Sequence, residues 1–140
     1  MDSNIKGPGA LETTNVGTFG IAKTTLLDKR FTMAYAAGIS DDNEAYFNDD
    51  RAGSPQIHPC IAFSLQWAAR FRPDQSQDPK VASFGVHAST DLVVHRPFKS
   101  GEAITTQGQL LQMRQISPGV YNVDLYRMTS STGELVAELY

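Results

Sequence analysis

YAAGISDDNEAYFNDDRAGSPQIHPCIAFSLQWAARF, residues 35–71, holds the end of one helix, a long polar loop rich in carboxylates, and a second helix. From Cys60 to Phe71 only Ser64, Gln66 and Arg70 are polar, and the last two share one narrow face. A helix of about three turns with so little polar surface is expected to be buried on most sides. The chain from Val81 to Tyr140 reads as strands. A buried helix facing a run of strands predicts an α+β fold, a curved antiparallel sheet wrapped around a central helix.

Upstream, Asp28 is a good N-cap for a helix from Lys29 to about Gly38. Phe31 and Tyr35 lie four apart on it, with Ala34 and Gly38 beside them, and Gly38 is expected to help end it. Gly17 to Leu27 has the Phe, Ile and Thr of a first strand. Residues 1–16 mix Gly, Pro, Asn and Thr without periodicity and read as a flexible leader, which leaves residues 17–140 as one domain.

Downstream, Arg72 to Lys80 is a polar linker, and strands are expected over Phe84–His95, Glu102–Ile116, Val120–Met128 and Leu135–Leu139. Val120 to Met128 puts Tyr121, Val123 and Leu125 on one face against Asn122 and Asp124 on the other, the alternation of a half-buried strand. Short turns between these strands require antiparallel pairing.

Charge and cysteine usage bound the partners. A net charge of −3 gives no footprint for nucleic acid or an anionic membrane. No secretory h-region or membrane-length apolar run is present, so a cytoplasmic protein is expected, with a peroxisomal or mitochondrial one as the alternative. The single cysteine, Cys60, excludes an internal disulfide and reads as a small buried hydrophobe. Three separated histidines give no metal spacing, and no cofactor is expected. A loop as long as Ser40 to His58 is often functional in a compact domain.

Tyr35-Ala36 followed by Asp41-Asp42-Asn43-Glu44-Ala45-Tyr46 resembles the loop of MaoC-like dehydratases and type-2 enoyl-CoA hydratases, which have the hot-dog fold. Those proteins carry a Tyr or Phe, an Ala, and then Asp-x-Asn-Pro-x-His, with the Asp and His as catalytic pair. Ile57-His58-Pro59-Cys60-Ile61 resembles the family's approach to its central helix. Val86-His87-Ala88 and His95-Arg96-Pro97-Phe98-Lys99-Ser100-Gly101-Glu102 resemble its Leu-His strand and Arg-Pro turn. Two positions depart from the pattern: Glu44 replaces the proline, and Tyr46 stands in place of the histidine.

The resemblance implies hydration of an enoyl thioester, or dehydration of a 3-hydroxyacyl thioester, carried by CoA or an acyl carrier. With tyrosine at position 46 the chain is more similar to the N-terminal, acyl-pocket-forming half of two-hot-dog members than to their active half. A self-sufficient hydro-lyase would need a rearranged site, for which Asp41 and His58 are the candidates. His58 lies just before the central helix, where thioester carbonyls of related proteins bind. Asn43, Tyr46, Pro59, Cys60 and His87 are the candidate substrate-binding residues on the same resemblance. Asp41 could equally cap a turn with Asn43, and His58 could serve only to bond backbone. A non-catalytic hot-dog that binds acyl or hydrophobic ligands, and a hot-dog thioesterase, stay open beside these readings. A lone hot-dog sheet leaves an edge strand uncovered, so a homodimer or a second hot-dog domain or subunit is expected.

Overall fold

The structure is a computed structural model that describes residues 16–48, 50, 55–69, 86–117 and 119–140. The expected leader (save Val16) and the linker from Arg72 to Lys80 lie outside the described residues. Strand β1 (Lys23–Leu26) leads into helix α1 (Lys29–Gly38), a short 3-10 helix (Glu44–Tyr46) and helix α2 (Ile61–Ala68). Strands β2 (Leu92–Val94), β3 (Ala103–Gln115), β4 (Val120–Ser130) and β5 (Leu135–Leu139) follow. All pairings are antiparallel, in one sheet of order β1-β3-β4-β5-β2. The expected α+β architecture is present, with strands β3, β4 and β5 forming a meander and β1 and β2 its two edges.

The first strand is shorter than its composition predicts. Gly17 takes φ +88°, and residues 17–20 meet β3 only through a Phe19–Gln109 bridge and bonds such as Gly20 N–H to Gly108 C=O. Regular pairing starts at Lys23, beyond the glycines at 17 and 20, which weaken a strand.

Helix α1 has its expected bounds because Asp28 caps it, Oδ1 accepting from the Phe31 N–H at 2.8 Å. Its end differs from expectation. Gly38 is the last helical residue, and the chain turns at Ser40, which takes the left-handed φ of +58°. Ser40 N–H donates to Ala37 C=O and Asp41 N–H to Ala36 C=O, the paired bonds of a Schellman ending with serine where glycine is usual. A serine there carries steric cost that glycine lacks. Ser40→Gly is therefore expected to stabilise the fold by about 0.5–1 kcal/mol, read as a higher urea midpoint at unchanged slope.

Helix α2 packs on one side only. Ile61, Ala62 and Leu65 are buried, whereas Trp67 is 66% exposed and Ala68 is exposed. Burial on most sides does not occur because a single sheet covers only the face turned toward it. The core joins that face to Leu27, Ile57, Phe98, Ile104, Tyr126, Met128 and the β5 residues Val136, Ala137 and Leu139.

Strand β4 also corrects the sequence pattern. It gives the core Tyr126 and Met128, which lie on the Asn122/Asp124 side of the strand, not the Tyr121/Val123/Leu125 side. The polar residues stand before the stretch of β4 that meets the core. On the other face Leu125 pairs with Gln109 and is buried there, while Tyr121 lies under the Arg114 guanidinium, 4.8 Å from its ring centre.

The Arg-Pro turn has a structural explanation. Arg96 donates to both oxygens of Glu102 at 3.1 and 2.9 Å, and its Nε donates to Glu134 at 2.8 Å. One side chain thus joins the β2–β3 turn to the β4–β5 turn. Gly101 takes φ +80°, and its N–H donates to Leu27 C=O, so the same turn also holds the chain entering α1.

Candidate functional site

Asp41 and His58 come together. Asp41 is fixed by the Schellman ending of α1, and its Oδ1 accepts from the Asn43 N–H at 3.0 Å. Its other oxygen, Oδ2, lies 3.4 Å from His58 Nε2, with side chains 29% and 18% exposed respectively. That separation is longer than a direct hydrogen bond, and short enough for both groups to touch one water or one substrate oxygen.

His58 is oriented from its other ring nitrogen. Nδ1 accepts the Cys60 N–H at 3.1 Å, which commits its lone pair to the start of α2. The neutral ring then carries its proton on Nε2, the nitrogen facing Asp41. The backbone bond and the carboxylate contact, alternatives at the level of sequence, coexist on opposite edges of one imidazole.

Two tyrosines frame the ring. Tyr46 projects from the 3-10 helix with its ring centre 5.2 Å from that of His58, and the Tyr35 ring centre lies 6.1 Å away. Tyr35 Oη donates to Cys60 C=O, so α1 is tied to the peptide that orients His58. Burial first, and then the Cys60 thiol, push the Tyr35 hydroxyl above its ordinary pKa, which keeps it a donor. Sequence reasoning used Tyr35 only as a pattern anchor. The available signal was a hydroxyl-bearing aromatic on the packing face of α1.

The other candidates divide. Asn43 caps the 3-10 helix, its side chain accepting from the Ala45 N–H at 3.0 Å, and so positions Tyr46. Cys60 contributes its backbone on both sides, to His58 and to Tyr35. Pro59 is exposed beside them. His87 bonds to Thr90 Oγ1 at 2.6 Å on the exposed stretch before β2, and no described contact brings it to Asp41 or His58. His95 pairs with Glu138 at 3.1 Å on the outer surface. Among the described residues no three His, Cys, Asp or Glu side chains converge as metal ligands would.

No known family model matches the chain, and no curated protein matches it. Solved structures do. The (R)-hydratase PhaJ1 of Pseudomonas aeruginosa superposes at TM-score 0.67 with 19% identity, over 89% of this chain and 77% of its own. The truncated HadBC (3R)-hydroxyacyl-ACP dehydratase complex of Mycobacterium tuberculosis gives 0.66 at 17% identity, over 93% and 96%. A MaoC-like dehydratase of Rhodospirillum rubrum gives 0.68 at 14% identity, over 89% and 87%. The chain therefore has the hot-dog fold, the fold on which these (R)-hydratases and MaoC-like dehydratases are built.

Proposed function

We propose that the chain is a hydro-lyase of enoyl thioesters, acting through a rearranged pair, Asp41 and His58. The observation that carries this reading is the 3.4 Å approach of Asp41 Oδ2 to His58 Nε2, with Nδ1 already occupied. A pocket-forming half without a catalytic histidine was expected because Tyr46 replaces that residue. His58 brings an imidazole beside Tyr46, ring centres 5.2 Å apart, from the far end of the loop, and this favours the self-sufficient alternative. The names of the similar structures, a hydratase and two dehydratases, agree with the reaction class at the level of fold.

In the hydration direction the Asp41 carboxylate takes a proton from water as the water oxygen bonds to the β-carbon of the enoyl thioester. Electrons move onto the thioester carbonyl, and the α-carbon then takes that proton back from the Asp41 carboxyl. His58 Nε2–H holds the water oxygen in place by a hydrogen bond throughout, so the carboxylate is restored and one water is added across the double bond. Proton transfers by placed side chains of this kind contribute about 10²–10⁴-fold. The test is hydration of crotonyl-CoA and of a longer 2-enoyl-CoA, followed as loss of the enoyl absorbance.

The assembly belongs to the same proposal. Edge strand β2 leaves Val93 and Val94 42% and 39% exposed, and α2 leaves Trp67 uncovered. A second hot-dog unit, either another copy or a partner domain, covers this edge and helix. Sedimentation equilibrium of the pure chain should give twice the chain mass, and a monomer would point to a partner domain instead. No helix among the described residues is long and apolar enough to cross a membrane.

A further inference from the structure

We infer that a recess on the outer face of the sheet is a binding site for one neutral saccharide ring. The inference stands apart from the hydro-lyase reading and does not depend on it. The recess encloses about 180 Å³ and is lined by Phe19, Thr105, Gln107, Gln109, Arg127 and Thr129. That is smaller than a site for a drug-sized molecule and suits a ligand of one ring. Along β3 the lining residues alternate with the buried Ile104, Thr106, Gly108 and Leu110, and along β4 with the buried Tyr126 and Met128. The recess therefore lies on the face turned away from the core, into which Ile57 and Ile61 pack on either side of His58 in the chain.

One wall comes from the irregular residues before β1. Phe19 pairs with Gln109, so the two side chains share the outer face. The Phe19 ring is 55% exposed there, a flat apolar wall beside polar groups. Bonds within the chain fix those groups in advance of any ligand. The carboxamides of Gln107 and Gln109 donate to Gly20 C=O and Gly17 C=O, each at 3.1 Å. Thr129 Oγ1 donates to Thr105 C=O at 3.4 Å, and Thr105 Oγ1 bonds Thr24 Oγ1 at 2.8 Å.

What these bonds leave over identifies the ligand. Each carboxamide keeps its oxygen and one N–H, and Arg127 keeps its two terminal nitrogens, none of them bonded to a described residue. Acceptors and donors thus stand side by side. A hydroxyl both accepts and donates, so a ring bearing several hydroxyls satisfies both kinds at once. An ion does not. Arg127 repels a cation, and its Nε lies 3.3 Å from Glu138, whose charge opposes an anion. The polar groups are also spread over two strands about 5 Å apart and over positions about 7 Å apart along β3. They surround a ligand, whereas a nucleobase is read along one edge. The C–H face of a saccharide ring is apolar and can lie on Phe19.

Saturation-transfer NMR on the full chain tests this, with the methyl glycosides of glucose, galactose, mannose and N-acetylglucosamine at millimolar concentration. Adenine and benzoate serve as planar and anionic comparisons. The expected result is transfer to at least one glycoside, strongest at its ring C–H protons. Phe19→Ala should weaken that binding about tenfold, the worth of a lost ring contact, and Gln107→Leu should weaken it as well. Crotonyl-CoA should not displace the glycoside, and neither comparison should show binding that depends on Phe19. The proposal would be overturned by transfer to no glycoside, by binding unchanged in both variants, or by displacement with crotonyl-CoA. Binding of adenine or benzoate that is lost in Phe19→Ala would overturn it too. Both substituted residues are exposed, and unchanged thermal melting of the variants would exclude unfolding as the cause. Binding is read without turnover, so an inactive dyad and an absent saccharide site give different results.

Discussion

His58→Asn is expected to lower kcat for crotonyl-CoA hydration by about 10²–10⁴-fold, the usual worth of placed acid–base catalysis, with the fold intact. Asparagine is chosen because its carbonyl oxygen can accept the Cys60 N–H that Nδ1 accepts now. The start of α2 would stay bonded, and what is lost is the nitrogen that faces Asp41. His58→Ala removes both roles, so it should lose activity equally and also melt at a lower temperature. The difference between the two variants separates positioning of the helix from positioning of the water.

Asp41→Asn makes the matching test. Its carbonyl oxygen can still receive the Asn43 N–H, so the turn survives, while the carboxylate that takes the water proton is gone. A similar fall in kcat is expected, and the double variant should be hardly worse than either single one, since the two groups act as a unit. Full activity in either Asn variant would refute the dyad. A wild-type chain that binds acyl-CoA without turning it over would identify the pocket-forming half, and a histidine-bearing partner would then have to be sought.

The largest stability effect is expected at Arg96. Arg96→Met removes two hydrogen bonds to Glu102 and one to Glu134, and leaves the Glu102 carboxylate, only 15% exposed, without its cation. Stranding a largely buried carboxylate costs about 3 kcal/mol, which for a chain of this size lowers Tm by roughly 10 °C. Arg96→Lys should recover only part of this, because an ammonium cannot bond both carboxylate oxygens in the fork geometry.

The same pair has a pH signature. Burial raises the Glu102 pKa, but the Arg96 hydrogen bonds, the Lys99 N–H and the two positive charges outweigh it, and the carboxyl ends below its ordinary value. A depressed carboxylate stabilises the fold above its unfolded pKa, about 4.3 for glutamate, and that stability is lost as pH falls through the folded value. Melting temperature should therefore drop on acidification in the wild type, and drop less steeply in Glu102→Gln. Parallel pH profiles for the two proteins would show that the Arg96–Glu102 pair contributes nothing to acid stability.

Much of the architecture was legible because local chemistry decided it. Asp28 sets the start of α1, the turn from Ser130 to Gly133 sets the β4–β5 hairpin, and alternating residues mark β5. The misreadings arose where distant contacts decide. Nothing local to residues 120–128 reports which part of β4 meets α2, so Tyr126 and Met128 were not marked as the core side. The one-sided burial of α2 depends on what covers Trp67, which lies beyond the reach of one chain's pattern. Ser40 was passed over because glycine usually takes its conformation. At the site, the resemblance and chain position name Asp41 and His58 together as a rearranged pair. Their geometry was not legible, because it depends on the bend at Ser40 and on the bond from Cys60 that turns the ring.

In time rather than space, the sheet order β1-β3-β4-β5-β2 separates local pairings from distant ones. The meander joins neighbours in sequence, so it can condense from local contacts. β1 joins it only by closing a long loop, across which Thr24 and Thr105 are bonded at a separation of 81 residues, and such closures are slow. Asp41 and His58 both lie inside that loop. An incompletely folded chain can hold its meander while its carboxylate and imidazole remain apart.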